Sequence, residues 1–178
     1  YKRQEKEWAD TYPLEKGILD YFINNAGSPN GVIDGGIAVF ASGNEYAGAS
    51  GFPGAYSKCV TVSAVAADFT PSSYTNFGTE VDVCAPGGDT EYYNAIGQED
   101  DEFWENNEVS GSILSTMIRN GSPAYGYMDG TSMACPHVSG VAALGLSYAV
   151  KQRRHFKASE FVALLKAVSY THLRAHET

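Results

Sequence analysis

Ser132 stands in a setting where a serine hydroxyl can act as a nucleophile. It follows Gly130-Thr131 in the string Gly130–Leu144, GTSMACPHVSGVAAL, and small apolar residues come after it: Met133, Ala134, Val138, Val141, Ala142, Ala143 and Leu144. The pattern predicts a helix with Ser132 at its N-terminus. Free backbone N–H groups and the positive end of the helix dipole gather there, which suits attack on a carbonyl and the oxyanion that results. Pro136 is expected in the first turn, where a missing N–H costs little. A plain N-cap serine on a buried helix gives the same short pattern. The length and composition of the whole string separate the two readings.

Gly130-Thr131-Ser132-Met133-Ala134, followed by Pro136-His137-Val138 and Gly140, resembles the nucleophile segment of the subtilisin-like serine proteases. The resemblance makes Ser132 the nucleophile. A second element lies upstream in the family's order: Ala41-Ser42-Gly43-Asn44-Glu45 is similar to the segment whose asparagine amide donates to the tetrahedral oxyanion. The resemblance therefore implies that Asn44 belongs to the oxyanion hole and that Ala41, Ser42 and Gly43 border the substrate. Independently, the carboxyl end of a parallel strand is where α/β sheets expose function, and Gly43 permits close backbone approach. Gly-Asn on its own is more often a simple turn. Phe52-Pro53-Gly54 matches the family's aromatic-Pro-Gly turn, which borders the pocket for the residue preceding the cleaved bond.

These residues need a scaffold, and the composition allows one. The 178 residues are 43% hydrophobic with 19 glycines, enough for one globular domain. A net charge of −9 argues against nucleic acid and anionic membranes as partners and agrees with a soluble protein working on polymers in solution; the resemblance implies that these are protein or peptide substrates. No apolar run reaches the roughly 20 residues of a membrane helix. The three cysteines, Cys59, Cys84 and Cys135, are too few for a disulfide framework and are expected as buried thiols. Cys135 as a nucleophile is the sharper alternative, though no adjacent base is suggested. The family resemblance implies a secreted or cell-envelope protein. It makes calcium a possible cofactor, with no metal site demonstrable in the sequence.

Along the chain, Tyr1–Asp10 is polar and charged, and Leu14, Ile18, Leu19, Phe22 and Ile23 recur at helical spacing until Asn24–Gly31, NNAGSPNG, breaks the helix. Strands are expected at Ile37–Phe40, Cys59–Val65 and Val81–Gly87, and a further one at Ile113–Thr116. Helix, loop and strand form the second half of a βαβ unit, so a strand is expected before Tyr1. The fold class is α/β, a three-layer α/β/α arrangement with a mainly parallel sheet, truncated on its N-terminal side. Asp82 tempts a catalytic reading, but in the family the aspartate of Val-Asp-Val-x-Ala-Pro-Gly is structural.

Residues 88–111 depart from the compact family pattern as an acidic insert with Glu99, Asp100, Asp101, Glu102, Glu105 and Glu108 around Phe103 and Trp104. A solvated loop is the simple reading, and a substrate-facing rim or a calcium site is the alternative; the spacing matches no defined calcium loop. Lys151–His155 is a basic patch at the helix's last turn, and Ser159 is expected to cap a short helix carrying Phe161, Val162, Leu164 and Leu165. Residues 1–167 form the partial peptidase domain. Residues 168–178, VSYTHLRAHET, resemble one reading frame of a transposon-end adapter and are set aside as foreign. The spacing of His172 and His176 therefore carries no zinc reading.

The family's triad runs Asp, His, Ser, yet no histidine precedes His137. His137 lies about 140° round the helix from Ser132 at 3.6 residues per turn, so it cannot face the hydroxyl. The aspartate and histidine are accordingly expected upstream of Tyr1. An α/β-hydrolase would need a glycine where Ala134 stands, and no aspartate follows Ser132; Glu160 with His172 would satisfy the order only through the foreign tail. A catalytically silent subtilisin-like binding domain is the non-enzyme alternative.

Overall fold

The computed structural model describes residues 2–90 and 111–174, with side chains described for 4–90 and 111–167. In chain order the elements are α1 (Lys2–Thr11), α2 (Pro13–Asn25), β1 (Ile33–Asp34), β2 (Val39–Ala41), β3 (Val60–Val65), β4 (Val83–Pro86), β5 (Ile113–Arg119), β6 (Ser122–Met128), α3 (Thr131–Lys151), β7 (Phe156–Lys157) and α4 (Ala158–Arg174).

The centre is a parallel sheet in the order β2-β3-β4, with Val39 beside Val60 and Val62 beside Val83. Alternation along β3 aims Val60, Val62 and Ala64 at one face, and all three are fully buried. Burying each valine stabilises the fold by about 1.5–3 kcal/mol. Against that face pack Ala134 and Val138 of α3 and Val162 and Leu165 of α4. The opposite face carries Ala38, Phe40 and Cys59, covered by Trp8 of α1 and Leu19 and Ile23 of α2. Helices thus lie on both faces of a parallel sheet, the three-layer α/β class read from the sequence.

Helix α3 approaches the sheet closely because its inward stripe is small: Ala134, Val138 and Ala142 recur every fourth residue and are buried. Its outer face holds Val141, Leu144 and Tyr148, which are 57%, 73% and 64% exposed. The helix begins at Thr131, so Pro136 lies inside it, past the first turn where it was expected. Pro136 lacks an N–H, and the Ser132 carbonyl is left without its i+4 donor. By length and composition α3 could also cross a membrane, contrary to the reading that no run approaches that length. Its glycines and hydroxyls hide the run, and here the helix packs on the sheet.

Other expectations change in detail. The charged segment before Thr11 is helix α1, anchored by Trp8, which stacks on Phe52 with ring centroids 5.0 Å apart and donates to Glu15 at 3.0 Å. In α2 the apolar spacing is helical as expected, yet Leu14, Ile18 and Phe22 are exposed while Leu19 and Ile23 pack inward. The expected strand at Ile113–Thr116 is one arm of an antiparallel hairpin, β5 with β6, closed by Asn120-Gly121, where both φ angles are positive as a type I′ turn requires. Ser159 is the second residue of α4 and does not cap it; the Glu160 carboxylate instead accepts from the Lys157 N–H at 3.0 Å. Of the thiols, only Cys59 is buried; Cys84 is exposed and Cys135 half-buried. The acidic cluster Glu99–Glu108 lies outside the described residues.

Candidate active site

Strand β2 ends at Ala41, and the chain then turns toward the start of α3. Ser42 continues the strand register, its N–H donating to the Val62 carbonyl at 2.9 Å. Gly43 has φ +106, a region that favours glycine, and a Cβ there would stand 2.4 Å from both Asn76 Nδ2 and Glu45 Oε2. The turn delivers Asn44 to the first residue of α3. The Thr131 N–H and hydroxyl both donate to Asn44 Oδ1, at 2.9 and 2.8 Å. With two donors on its oxygen, the Asn44 amide can be oriented only one way, and its NH2 turns away from Thr131.

Asn44 Nδ2 lies near Gly130. The Gly130 φ of +152 is outside the range side chains tolerate, and the Gly130 N–H donates to the Gly87 carbonyl at 2.9 Å. A Cβ built on Gly130 would be 3.6 Å from Asn44 Nδ2 and 3.7 Å from the Ser132 backbone N. Asn44 Nδ2 and the Ser132 backbone N therefore lie near one small space at the start of α3. Ser132 is exposed and opens onto a groove of about 520 Å³ lined by Ile113, Leu114, Met133, Pro136 and His137.

Ala41, Ser42 and Gly43, expected at the substrate, form the wall beneath Asn44. Ala41 is paired with Val62 in the sheet. Ser42 is buried, with its hydroxyl donating to the Asn76 carbonyl at 3.3 Å and its own carbonyl accepting from Asn76 Nδ2 at 3.0 Å. The Gly43 N–H donates to Thr131 Oγ1 at 3.3 Å. Asn76 and Thr131, which the sequence reading did not single out, are thus the residues that hold this segment.

His137 is turned elsewhere, donating from Nδ1 to the Met133 carbonyl at 2.8 Å. His155, the other histidine among the described side chains, sits against Gly31 and Asp34. Cys135 offers its thiol to the Val39 carbonyl at 3.5 Å, and burial pushes its pKa up, away from a reactive thiolate. Asp82 pairs with Lys166 at 2.6 Å and accepts the Thr61 N–H at 3.0 Å, a brace between β3, β4 and α4. Among the described residues no group of three or more His, Cys, Asp or Glu side chains gathers to hold a metal, so the calcium suggested by the resemblance has no carboxylate cage there.

Ser132 stands near the start of the helix that packs on the parallel sheet, and the Asn44 amide is bonded to that helix start, the arrangement expected of a subtilisin-like domain. The chain belongs to the Subtilase family, peptidase S8, whose sequence profile matches residues 6–173. It is 38% identical over 111 residues to halolysin of Haloferax mediterranei, a match covering 62% of this chain and 17% of the relative. It is 33% identical over 144 residues to the major intracellular serine protease of Bacillus subtilis, covering 77% of this chain and 37% of that protein. Among solved structures, a protease from Pseudoalteromonas arctica superposes with a TM-score of 0.55 at 32% identity, over 74% of this chain and 35% of that one. The chain thus spans well under half the length of these relatives.

Proposed function

We propose that this chain carries the nucleophile and oxyanion hole of a serine endopeptidase. Ser132 Oγ forms a bond to the scissile carbonyl carbon as a histidine outside these 178 residues, oriented by an aspartate also outside them, takes its proton. The carbonyl oxygen becomes an oxyanion held by Asn44 Nδ2 and the Ser132 N–H. The C–N bond then breaks, the leaving amine takes the proton, and water hydrolyses the acyl-enzyme by the reverse sequence. Protein or peptide chains are the substrates, and a secreted or cell-envelope setting follows from the resemblance.

The observation that supports this reading most is the Asn44 amide, held through Oδ1 on Thr131 with its Nδ2 and the Ser132 backbone N near one point beside Gly130. A catalytically silent binding domain is the second reading, favoured by the fact that both described histidines are bonded away from Ser132. The test is to express a catalytic domain of the relatives' length that carries this sequence, and to compare it with Ser132→Ala. Fluorophosphonate labelling at Ser132 and cleavage of an unfolded protein substrate, both lost in the variant, support the protease. A folded domain that neither labels nor cleaves is the silent one. Cell fractionation tests the setting, since one relative is intracellular by name.

A further inference from the structure

Asn76 is 3% exposed, and every hydrogen-bonding valence of its side chain is filled. Its Oδ1 accepts the backbone N–H of Glu45 and of Ala47, each at 3.0 Å. Its Nδ2 donates to the Ser42 carbonyl at 3.0 Å and to the Glu45 carboxylate at 2.7 Å. The backbone joins in: the Asn76 N–H donates to the Gly43 carbonyl at 3.1 Å, and the Asn76 carbonyl accepts the Ser42 hydroxyl at 3.3 Å. An amide has two acceptor sites and two N–H donors, and all four are used here. Reversing the amide would set its NH2 against two backbone N–H groups, so its orientation is fixed.

The bonds fall on both sides of one residue. Ser42 and Gly43 are tied before Asn44, and Glu45 and Ala47 after it, while Asn44 itself reaches the other way, to Thr131. Neighbouring backbone bonds extend the seam, from the Tyr46 N–H to the Tyr74 carbonyl and from the Phe77 N–H to the Ala47 carbonyl, each at 2.9 Å. The direction in which the Asn44 side chain leaves the backbone is thereby set by the 74–77 segment. An oxyanion donor contributes only when it is held in place before charge develops, within about 0.5 Å of the productive geometry.

We infer that Asn76 is a positioning residue that holds Asn44 for oxyanion stabilisation, acting through the backbone of residues 42–47. The inference rests on the proposed role of Asn44. Asn76→Asp keeps the acceptor bonds to Glu45 and Ala47, but removes both Nδ2 bonds and sets a carboxylate against that of Glu45. Asn76→Ser is a gentler change that shortens the clamp.

The experiment is a double-mutant cycle in a catalytic domain of the relatives' length, with kcat and KM expressed per active site titrated to completion by a fluorophosphonate. Each Asn76 variant is made with Asn44 present and in the Asn44→Ala background. The expected result is a loss of about tenfold or more in kcat for Asn76→Asp with KM within about twofold, shrinking to less than about twofold in the Asn44→Ala background. Asn76→Ser is expected to follow the same pattern with a smaller loss, and it carries the test if the aspartate variant does not fold. Equal losses in both backgrounds, or no loss of kcat, overturn the inference and leave Asn76 a structural residue. If Asn44→Ala alone leaves kcat unchanged, the role of Asn44 fails first and the inference falls with it.

Discussion

Asn44 and Thr131 are joined twice at one oxygen: the Thr131 N–H and its hydroxyl converge on Asn44 Oδ1 at 2.9 and 2.8 Å. In the proposed mechanism the Asn44 NH2 then meets charge that exists only in the transition state. Asn44→Ala, made in a catalytic domain of the relatives' length, is therefore expected to lower kcat with little change in KM. In subtilisin itself, the system in which such a loss was measured, removing one donor costs about 2.7–4 kcal/mol, or about 10²–10³ in kcat. Steady-state kinetics decide the matter, and an effect confined to KM would take Asn44 out of the oxyanion hole.

Thr131 is 1% exposed, and its hydroxyl both donates to Asn44 and accepts from Gly43. Thr131→Val keeps the shape and the backbone N–H but deletes that hydroxyl. Of the two hydrogen bonds lost, the one to Asn44, at about 1–1.5 kcal/mol, predicts a kcat about five- to tenfold lower, with KM near the parent value. Thr131→Ser retains the hydroxyl and is expected to stay within about twofold in kcat. Equal losses in the two variants would assign the effect to packing of the lost methyl group.

The legible parts of this molecule are those written in local pattern. Ser132 at a helix start, the valines of β3 and the helical spacing in α2 follow from neighbours in sequence. The spacing gave the helix but not its inward side: Leu14 and Ile18 are exposed while Leu19 and Ile23 pack inward, which only the tertiary fold decides. Helix α1 was read only as polar and charged because its packing rests on few apolar residues, Trp8 with Ala9 beside it, amid charged ones. The Asn120-Gly121 dipeptide was a hairpin signal present in the sequence and not used. Asn76 and Thr131 lie 32 and 87 residues from Asn44 in the chain, and no short-range pattern relates an amide or hydroxyl to a partner so remote.

His155 yields a pH prediction away from the active site. Nδ1 faces the Gly31 carbonyl at 2.6 Å and Nε2 faces the Asp34 carboxylate at 2.9 Å. Both neighbours are acceptors, so the ring satisfies them fully only as the cation. The Gly31 carbonyl first and the Asp34 carboxylate second raise its pKa above 6.5, with Glu160 adding to the field. A raised folded-state pKa gives stability that is complete below the unfolded value and fades as pH climbs through the folded one. Denaturation of the parent domain and of His155→Gln should therefore differ most below about pH 6.5 and converge as the ring deprotonates. A gap that widens with rising pH would contradict the bonding described.

The isolated 178-residue polypeptide is expected to be inactive, for reasons visible around Ser132. His137 lies about 140° round α3 from Ser132, and His155 has both ring nitrogens held at Gly31 and Asp34, so neither is placed to take a proton from the serine. Without a base, Ser132 keeps the high pKa of an alcohol and forgoes a proton-transfer contribution of about 10²–10⁴ in rate. The same face of α3 that leads away from Ser132 exposes Val141, Leu144 and Tyr148, and Ile118 of β5 is 70% exposed. Apolar patches of that kind favour association. Light scattering of the purified chain is expected to report aggregates, with no cleavage of an unfolded substrate beyond that of Ser132→Ala. A catalytic domain of the relatives' length is expected to be free of both defects. A soluble monomer of the 178 residues that labels at Ser132 and cleaves in a serine-dependent manner would instead place the base within this chain.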